Sequence, residues 1–537
     1  MASHPAASHP LTRRSLVVAA SAGAAALSVG CVSSAFAQET ADQTTPVSSS
    51  IDESLIASTE ECDVVVVGAG AAGLAAAAAA AEEGASVVCL EKLASSMGAG
   101  TYYGFINTQL LAANGVEHVD ENARSKELYE ASLGAGDPAV IRAFVTSCAQ
   151  VGDWLDDIAA QTGNQAMCSM EMGTESTHYY DDADSGSSAY GALTAYGESL
   201  DVTYVYSCPA VALECDEGGR VTGVVAHNLD TDEYVRYNAV GGVVLACGGF
   251  SASSELMERY IPWVDVDATV NYSPIALSSD TEANGNVGDA ITMALAAGAA
   301  DPVGPLCPMI HFIQGAMPFA GTLFVNGAGK RFMDEGTSME VTAQTLMRQP
   351  GHAMFQIADS KPSGMALMMT QTASGSEDED APEGMPAEGE ATGGHGPSAM
   401  MGAPDGPEYD TLEELAEANG FDPDVLIATV TRWNELVASG VDEDFGSDFT
   451  FAVSIDTPPY TCTQSDACLL AAMGGPQIDA RMRVLDKSLA PIPGLYAAGN
   501  CADNFYGANY PMQVQSGVAR AFCTVSGYLA AKDALSK

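Results

Sequence analysis

The residues with the clearest chemical reading are three glycines and an acid: Gly68, Gly70 and Gly73 in Asp63-Val-Val-Val-Val-Gly-Ala-Gly-Ala-Ala-Gly73, and Glu91 beyond them. Four consecutive valines predict a strand buried on both faces, as in a parallel sheet. Gly68 then permits a tight turn, Gly70 lets the backbone approach a pyrophosphate, and Gly73 lets the next helix pack on the sheet. That helix is expected over Leu74–Glu83, where its N-terminal amides and dipole favour phosphate. Ser86–Glu91 reads as a second strand, with a carboxylate at its tip to accept hydrogen bonds from ribose hydroxyls. Strand, helix, second strand and acid in this order predict dinucleotide binding.

Further along, Val211-Ala-Leu-Glu-Cys215 and Val221–Ala226 flank Gly218-Gly-Arg220 and read as a hairpin. Gly242–Phe250 is a buried strand ending on Gly248-Gly249, where backbone can meet a ligand. Gly288-Asp289 opens an Ala-rich helix to about Ala300. Pro491–Asn500 is a short strand ending at Gly499, followed by a helix over Gln515–Leu535. The nucleotide site is thus assembled from sequence-distant segments with an inserted domain between them. Inside the insert, Ser374–Asp405 is acidic and low in complexity, which predicts a solvated loop. Its Met385, His395, Met400 and Met401 are a weak soft-metal set. Thr411–Ala416 and Asp422–Leu436 read as capped amphipathic helices.

Composition bounds the function. A chain of 537 residues, 47% hydrophobic, builds more than one core, while its net charge of -50 argues against nucleic acid and anionic lipid as partners. Thirteen cysteines include no C-x-x-C and no C-x-x-C-H, so zinc, iron–sulfur and attached-haem spacings are missing. Cys462 and Cys468 are near enough in sequence to suggest a disulfide. At the N-terminus, Leu11-Thr-Arg-Arg-Ser-Leu16, the apolar Val17–Val29 and Ala35-Phe-Ala37 predict a twin-arginine signal peptide over 1–37. Cys31 is a candidate lipidation site in an otherwise extracytoplasmic protein, in the periplasm or at the cell surface. Residues 38–58 read as a linker, and no transmembrane segment is expected in the mature chain.

Five motifs stand in family order: the fingerprint, Val244–Phe250, Leu323–Phe332, Met473-Gly-Gly475 and Gly494–Asn500. Together they resemble the FAD-binding fumarate reductase/succinate dehydrogenase flavoproteins, which include urocanate reductases and 3-ketosteroid dehydrogenases. The resemblance spans about 60–537. It implies an α/β fold: a Rossmann-type FAD-binding domain over 59–296 and 472–537, with an inserted α+β capping domain over 297–471. It implies FAD held by Gly68, Gly70, Gly73, Glu91, Lys92, Gly98, Gly100, Thr101, Val211, Gly248, Asp289, Gly499, Asn500 and Val514. Tyr102 and Tyr103 would stack near the flavin. The implied chemistry is hydride transfer between flavin N5 and a carbon–carbon bond, with a protein group handling the second proton.

Departures from the pattern point to the substrate. Where dicarboxylate reductases carry an Arg proton donor, a substrate His and a second Arg, this chain has Met339, Ala471 and Tyr510. Gly315-Ala-Met-Pro318 contains neither the Glu nor the Arg of their relay. Without these counter-charges, fumarate and similar dianions are excluded. Tyr510-Pro511 resembles ketosteroid dehydrogenases, in which the tyrosine and a backbone N–H four residues on polarise a ketone oxygen. That later position is Val514. The catalytic candidates are Tyr510 first, then Tyr506, Glu340 and His311; the alternatives are a packing tyrosine, an aromatic lid, a surface carboxylate and a core histidine. Arg331 and Glu335 are expected to pair within the cap.

The expected activity is reduction of an uncharged enone-like or aromatic-conjugated alkene. Electrons would come from a separate cytochrome, flavoprotein or quinone-linked donor, because no nicotinamide domain, haem motif or flavinylation segment is evident. The rival readings are a ketone desaturase and a non-catalytic flavin electron carrier.

Overall fold

The valine run becomes the middle of the largest sheet. The computed structural model describes residues 51–96, 102–171, 175–181, 188–265, 270–271, 285–313, 321–361 and 407–536. Strand β1 (Ile56–Val67) ends in Val64–Val67, all buried, as a doubly covered strand requires. Helix α1 (Ala71–Glu82) is buried from Ala71 to Ala81, and its small side chains let neighbours approach on every side. It starts three residues before the expected Leu74 because Gly70 is already its N-cap. β2 (Val87–Leu90) lies parallel to β1, Val64 opposite Val87 and Val67 opposite Leu90.

Helices α2 (Gln109–Ala113), α3 (Glu121–Ala131) and α4 (Pro138–Gln161) begin on Thr108, Asp120 and Asp137, whose side chains accept first-turn amides. β3 (Gln165–Glu171) and β4 (Glu175–Asp181) form a two-stranded antiparallel ribbon, and α5 (Ser188–Ser199) packs against α1. β5 (Thr203–Val205) joins β2 in parallel. β6 (Ala210–Cys215) and β7 (Val221–Asn228) form the expected hairpin, and β7 pairs with the first half of β8 (Glu233–Leu245). α6 (Ser254–Tyr260), β9 (Val270–Asn271) and α7 (Asp289–Ala296) lead towards the insert. α7 stops short of Ala300 because Gly298 adopts a positive φ of 94° just after it.

The inserted elements are β10 (Cys307–Ile313), β11 (Leu323–Asn326), α8 (Met339–Leu346), β12 (Ala353–Ala358), β13 (Glu408–Tyr409), α9 (Leu412–Ala418), α10 (Pro423–Ser439) and β14 (Tyr460–Met473). β15 (Arg483–Leu485), β16 (Pro491–Ala497) and α11 (Val518–Ala534) return to the first unit. The first sheet has the order β15-β16-β8-β1-β2-β5, with the β6–β7 hairpin attached to β8; the second runs β10-β14-β12-β11, with β9 and β13 also on β14. The result is α/β, a Rossmann-type sheet with an α+β unit inserted in its sequence.

Alternation along the second sheet separates two cores. Leu323, Val325 and Ile357 face Leu415, Leu426 and Trp433, whereas Phe324, Met354 and Ala467 pack with Leu346, Phe250 and Tyr260. Arg331 ties the first of these cores together. It bonds Glu335 at 2.6 Å and Asp442 at 2.8 Å, and its guanidinium lies 5.1 Å from the Trp433 ring centre. The expected Arg331–Glu335 pair is therefore present, with Asp442 as an additional member. The two sheets meet where the Phe250 N–H donates to the Ala472 carbonyl at 3.2 Å.

The structure corrects two expectations. Cys462 and Cys468 are free, buried thiols on one extended strand, opposite Ile357 and His311 respectively. Six residues of strand separate them by about 20 Å, well beyond the span of a disulfide. The linker reading overruns the fold, since β1 begins at Ile56; the polar first half of that strand masks it in sequence. Residues 1–50, Gly98, Gly100, Thr101, Gly315–Pro318 and Ser374–Asp405 lie outside the described residues. Among the described residues no helix is long and apolar enough to cross a membrane, and no cluster of three or more His, Cys, Asp or Glu could hold a metal.

Candidate flavin and substrate site

Gly68, Glu91, Gly248 and Gly499 each follow the C-terminal end of a strand in the parallel part of the first sheet, β1, β2, β8 and β16, so all four gather at one edge. That edge is where doubly wound sheets bind ligands. A Cβ on Gly73 would overlap the Gly68 carbonyl oxygen, which is why the helix can sit so tightly on the turn. Gly70 caps α1 without a side-chain hydrogen bond, leaving the first-turn amides for an anion.

Glu91 has a structural duty not evident from sequence. Its carboxylate accepts the Ala69 N–H at 2.6 Å and the Leu93 N–H at 2.9 Å, bracing the glycine turn from the neighbouring strand. Burial pushes its pKa up, and these amide bonds pull the other way. Lys92 bonds Asp289 at 2.8 Å and also the Gly285 carbonyl, which ties the turn after β2 to α7. The Gly499 N–H donates to Ser526 at 2.9 Å, and the Asn500 carbonyl accepts from Gly474 at 2.9 Å. Val211 stands on β6, close behind Cys208, whose N–H donates to the Glu91 carbonyl at 2.8 Å. These residues fit a dinucleotide: a glycine turn with no room for side chains, an uncapped helix start and an acid beside them.

The part of the second glycine loop that is described, Tyr102–Gly104, is stitched to the start of α11. Gly104 donates to the Gly517 carbonyl at 2.9 Å, and Arg520 lies 5.0 Å from the Tyr103 ring centre. A buried network missed in the sequence supports this loop. His178 contacts Thr108 at 2.7 Å and Asp156 at 3.1 Å, while its carbonyl accepts the Tyr103 N–H at 2.9 Å. His178 lies 22 residues from Asp156 and 70 from Thr108, so no local pattern reveals the network.

The chain between Cys501 and α11, together with Phe522 of that helix, supplies an aromatic wall. Phe505 stacks on Phe522 at 4.0 Å, Tyr506 meets Phe505 edge-on at 4.8 Å, and Tyr510 lies 6.2 Å from Tyr506. Tyr506 is 3% exposed, yet its hydroxyl has no hydrogen-bond partner among the described residues. Burial drives its phenol well above the ordinary range, reinforced by Cys523, Tyr510 and Cys307 around it. Cys523 borders Asn500, whereas Cys307 starts β10, so Tyr506 stands between the nucleotide cradle and the insert. Ala471, opposite Met309, packs against the same core.

The other candidates are distributed differently. Tyr506 and Tyr510 belong to this wall, whereas His311 on β10 and Glu340 on α8 belong to the insert, where α8 packs on β10. Glu340 is a buried carboxylate, not a surface one. Met339 is the first residue of α8. Val514 requires correction as a donor to a ligand: its N–H is engaged with the Pro511 carbonyl at 3.0 Å. The turn that follows Tyr510-Pro511 consumes it. Asp503, which the sequence reading passed over, is a buried carboxylic acid with its pKa raised to about 7 by burial, against the pull of the Asn504 and Val303 amides. A lone acid in an apolar Ala-Asp-Asn-Phe-Tyr run was its only visible signal.

Residues 63–513 match the family model described as FAD binding domain. The chain belongs to this family. Within it, the chain is one of the fumarate reductase/succinate dehydrogenase flavoproteins, and it binds FAD. It is 29% identical to NADH:acrylate oxidoreductase of Vibrio harveyi over 310 residues, which cover 55% of this chain and 27% of that protein. NADH:fumarate oxidoreductase of Klebsiella pneumoniae is 27% identical over 500 residues, 89% of this chain and 48% of its own. The chain thus spans about half, or less, of these two relatives. Vinyl phenol reductase of Lactiplantibacillus plantarum is 26% identical over 484 residues, covering 85% of this chain and 92% of the relative. Among solved structures, a 3-ketosteroid-Δ4-(5α)-dehydrogenase from Rhodococcus jostii shares the fold at a TM-score of 0.66 and 22% identity, over 89% of this chain and 97% of that one.

Proposed function

We propose that this flavoprotein reduces the carbon–carbon double bond of an uncharged acceptor whose alkene is conjugated to an aromatic ring or a carbonyl. The observation that carries this reading is the Tyr506 hydroxyl, a buried donor with no partner among the described residues, set in an aromatic wall with Tyr510. An unsatisfied buried hydroxyl costs about 1–3 kcal/mol, which a ligand oxygen at that spot would offset. A neutral phenol suits a carbonyl or phenolic oxygen better than a carboxylate pair, which calls for cations. Bound FAD would supply the hydride at N5. The protein's share is to hold the acceptor against the wall, exclude water and deliver a proton, with Tyr510 and Tyr506 as the groups in reach of that wall. The vinyl phenol reductase relative, matched over most of both chains, supports an aromatic alkene as acceptor.

Export by the twin-arginine route and electrons from a separate cytochrome, flavoprotein or quinone-linked donor complete the proposal. The motivation for export is the Arg13-Arg14 segment, which fits a twin-arginine leader. The test uses FAD-loaded protein, reduced methyl viologen and a panel of alkenes. Dye oxidation with 4-vinylphenol or an enone, and none with fumarate, is the expected outcome; fumarate turnover without the others would overturn it. Tyr510-Pro511 also favours a second reading, desaturation of a ketone. Val514 weakens it, because its amide is taken within the turn. Dye-dependent oxidation of a saturated ketone, with no alkene reduction, would promote that second reading.

A further inference from the structure

Three arginines line one cavity at the end of β16 remote from the FAD cradle. β16 runs from Pro491 to Ala497, about 20 Å of strand, and Gly499 lies beyond its C-terminal end. Around its start, Arg220, Arg481, Arg483, Pro491, Pro493 and Tyr496 border a cavity of about 430 Å³. Three of the chain's 20 lysines and arginines thus meet in one place, in a protein of net charge -50. Segments far apart in sequence bring them there. Arg483 on β15 stands opposite Tyr496. Gly494 has a positive φ of 75°, and a Cβ on it would lie 2.3 Å from the Val221 carbonyl oxygen and 3.4 Å from the Arg220 guanidinium carbon. A glycine there is what lets Arg220 lie against β16. Arg481 pairs with Asp533 near the end of α11 and donates to Ser536 at 3.2 Å. Arg481 and Arg483 are 55% and 32% exposed, so the cavity is open to solvent.

Fold stability accounts for two of these cations. Arg483 bonds Asp479 at 2.8 Å, and the C-terminal end of α11 favours a cation such as Arg481. Arg220 is different. It donates to the Val240 carbonyl at 2.7 Å and the Gly241 carbonyl at 3.0 Å, both from one nitrogen, and pairs with no carboxylate among the described residues. Three guanidiniums against Asp479 and Asp533 leave the surroundings of the cavity positive, and each guanidinium keeps N–H donors beyond the bonds it makes. We propose that this cavity binds a small organic phosphate, with its phosphoryl oxygens on the three guanidiniums and its body against Pro491, Pro493 and Tyr496. A phosphoryl group spreads three oxygens in space and can engage several arginines at once, whereas a carboxylate has two oxygens in one plane. The volume is far more than a bare phosphate ion fills and lies within the usual range for small-molecule sites. Because the cavity lies at the other end of β16 from Gly499, its ligand and FAD bind together.

The test titrates the FAD-loaded full chain by calorimetry with adenosine monophosphate, inorganic phosphate and adenosine, at fixed ionic strength, while flavin absorbance is followed. The expected result is saturable one-site binding of adenosine monophosphate, several-fold tighter than that of inorganic phosphate, with no binding of adenosine and no loss of flavin. Arg220→Gln removes a charged donor and should weaken adenosine monophosphate about tenfold or more, with the flavin spectrum unchanged. Arg481→Gln, at the most exposed of the three, should weaken it in the same direction and serves where the Arg220 variant fails to fold. The proposal is overturned by any of four results: no binding of adenosine monophosphate, equal affinity for adenosine or for inorganic phosphate, affinity unaltered in the folded variants, or release of flavin as the nucleotide binds.

Discussion

Tyr506 links stability to function through a single oxygen atom. Its hydroxyl is buried without a partner, so Tyr506→Phe removes an unsatisfied group and is expected to raise the stability of the ligand-free protein by about 1 kcal/mol. The same change should lower alkene reduction, because a donor to the acceptor is lost; thermal denaturation and a dye-linked assay check the two halves. A variant both less stable and fully active would remove Tyr506 from the site. Tyr510→Phe is expected to slow turnover roughly a hundredfold, the lower range for a general acid. Glu91→Gln bears on the cofactor. It replaces a carboxylate that accepts two amides with a neutral group able to accept through only one oxygen, so FAD affinity measured by flavin fluorescence should fall about tenfold or more. The sequence suggested Glu91 as a ribose acceptor; its bracing of Ala69 was not visible there, since that depends on how closely β2 carries it to the glycine turn.

Elements with strong periodic or capping signals were legible before any coordinates. The β6–β7 hairpin, α10 behind Asp422 and α9 behind Thr411 all stand where turn and cap residues put them. The misjudged features have a common cause: their surroundings are tertiary. The polar outer half of β1 is a strand because β8 pairs with it, and Cys462 and Cys468 lie on one long strand that pairs with β9, β10, β12 and β13. At this scale Arg331 is the critical tie. Arg331→Ala leaves Glu335 and Asp442 buried and without their shared cation, and should destabilise the protein by about 3–5 kcal/mol in chemical denaturation. Asp503 makes the loop before Tyr506 sensitive to pH. Its folded pKa, about 7, stands above the unfolded value of a carboxyl group, so the folded state holds the extra proton. The stabilisation is complete at pH values below the unfolded pKa and is lost as pH rises through about 7. Asp503→Asn should therefore flatten the fall in melting temperature between pH 5 and 8, with its largest gain at the alkaline end.

At the scale of the whole molecule, charge is the most extreme property. With a net charge of -50, association with a basic electron donor would be steered at long range, so the transfer rate should fall steeply as salt is raised from low to physiological ionic strength. Stopped-flow reoxidation against ionic strength checks this; a salt-independent rate would argue for a neutral or acidic donor. The sequence by itself determined the dinucleotide fold, because a glycine turn, its flanking strands and an acid are local features whose physics is complete within a few dozen residues; FAD followed from the resemblance of five ordered motifs to one flavoprotein family. Met339, Ala471 and Tyr510 in the sequence also motivated the proposal of an uncharged acceptor. Only the tertiary structure decided what the remaining groups do. Burial left the Tyr506 hydroxyl without a partner among the described residues, and a turn consumed the Val514 amide. Each depends on which atoms distant segments place beside one another, and on whether water is left between them.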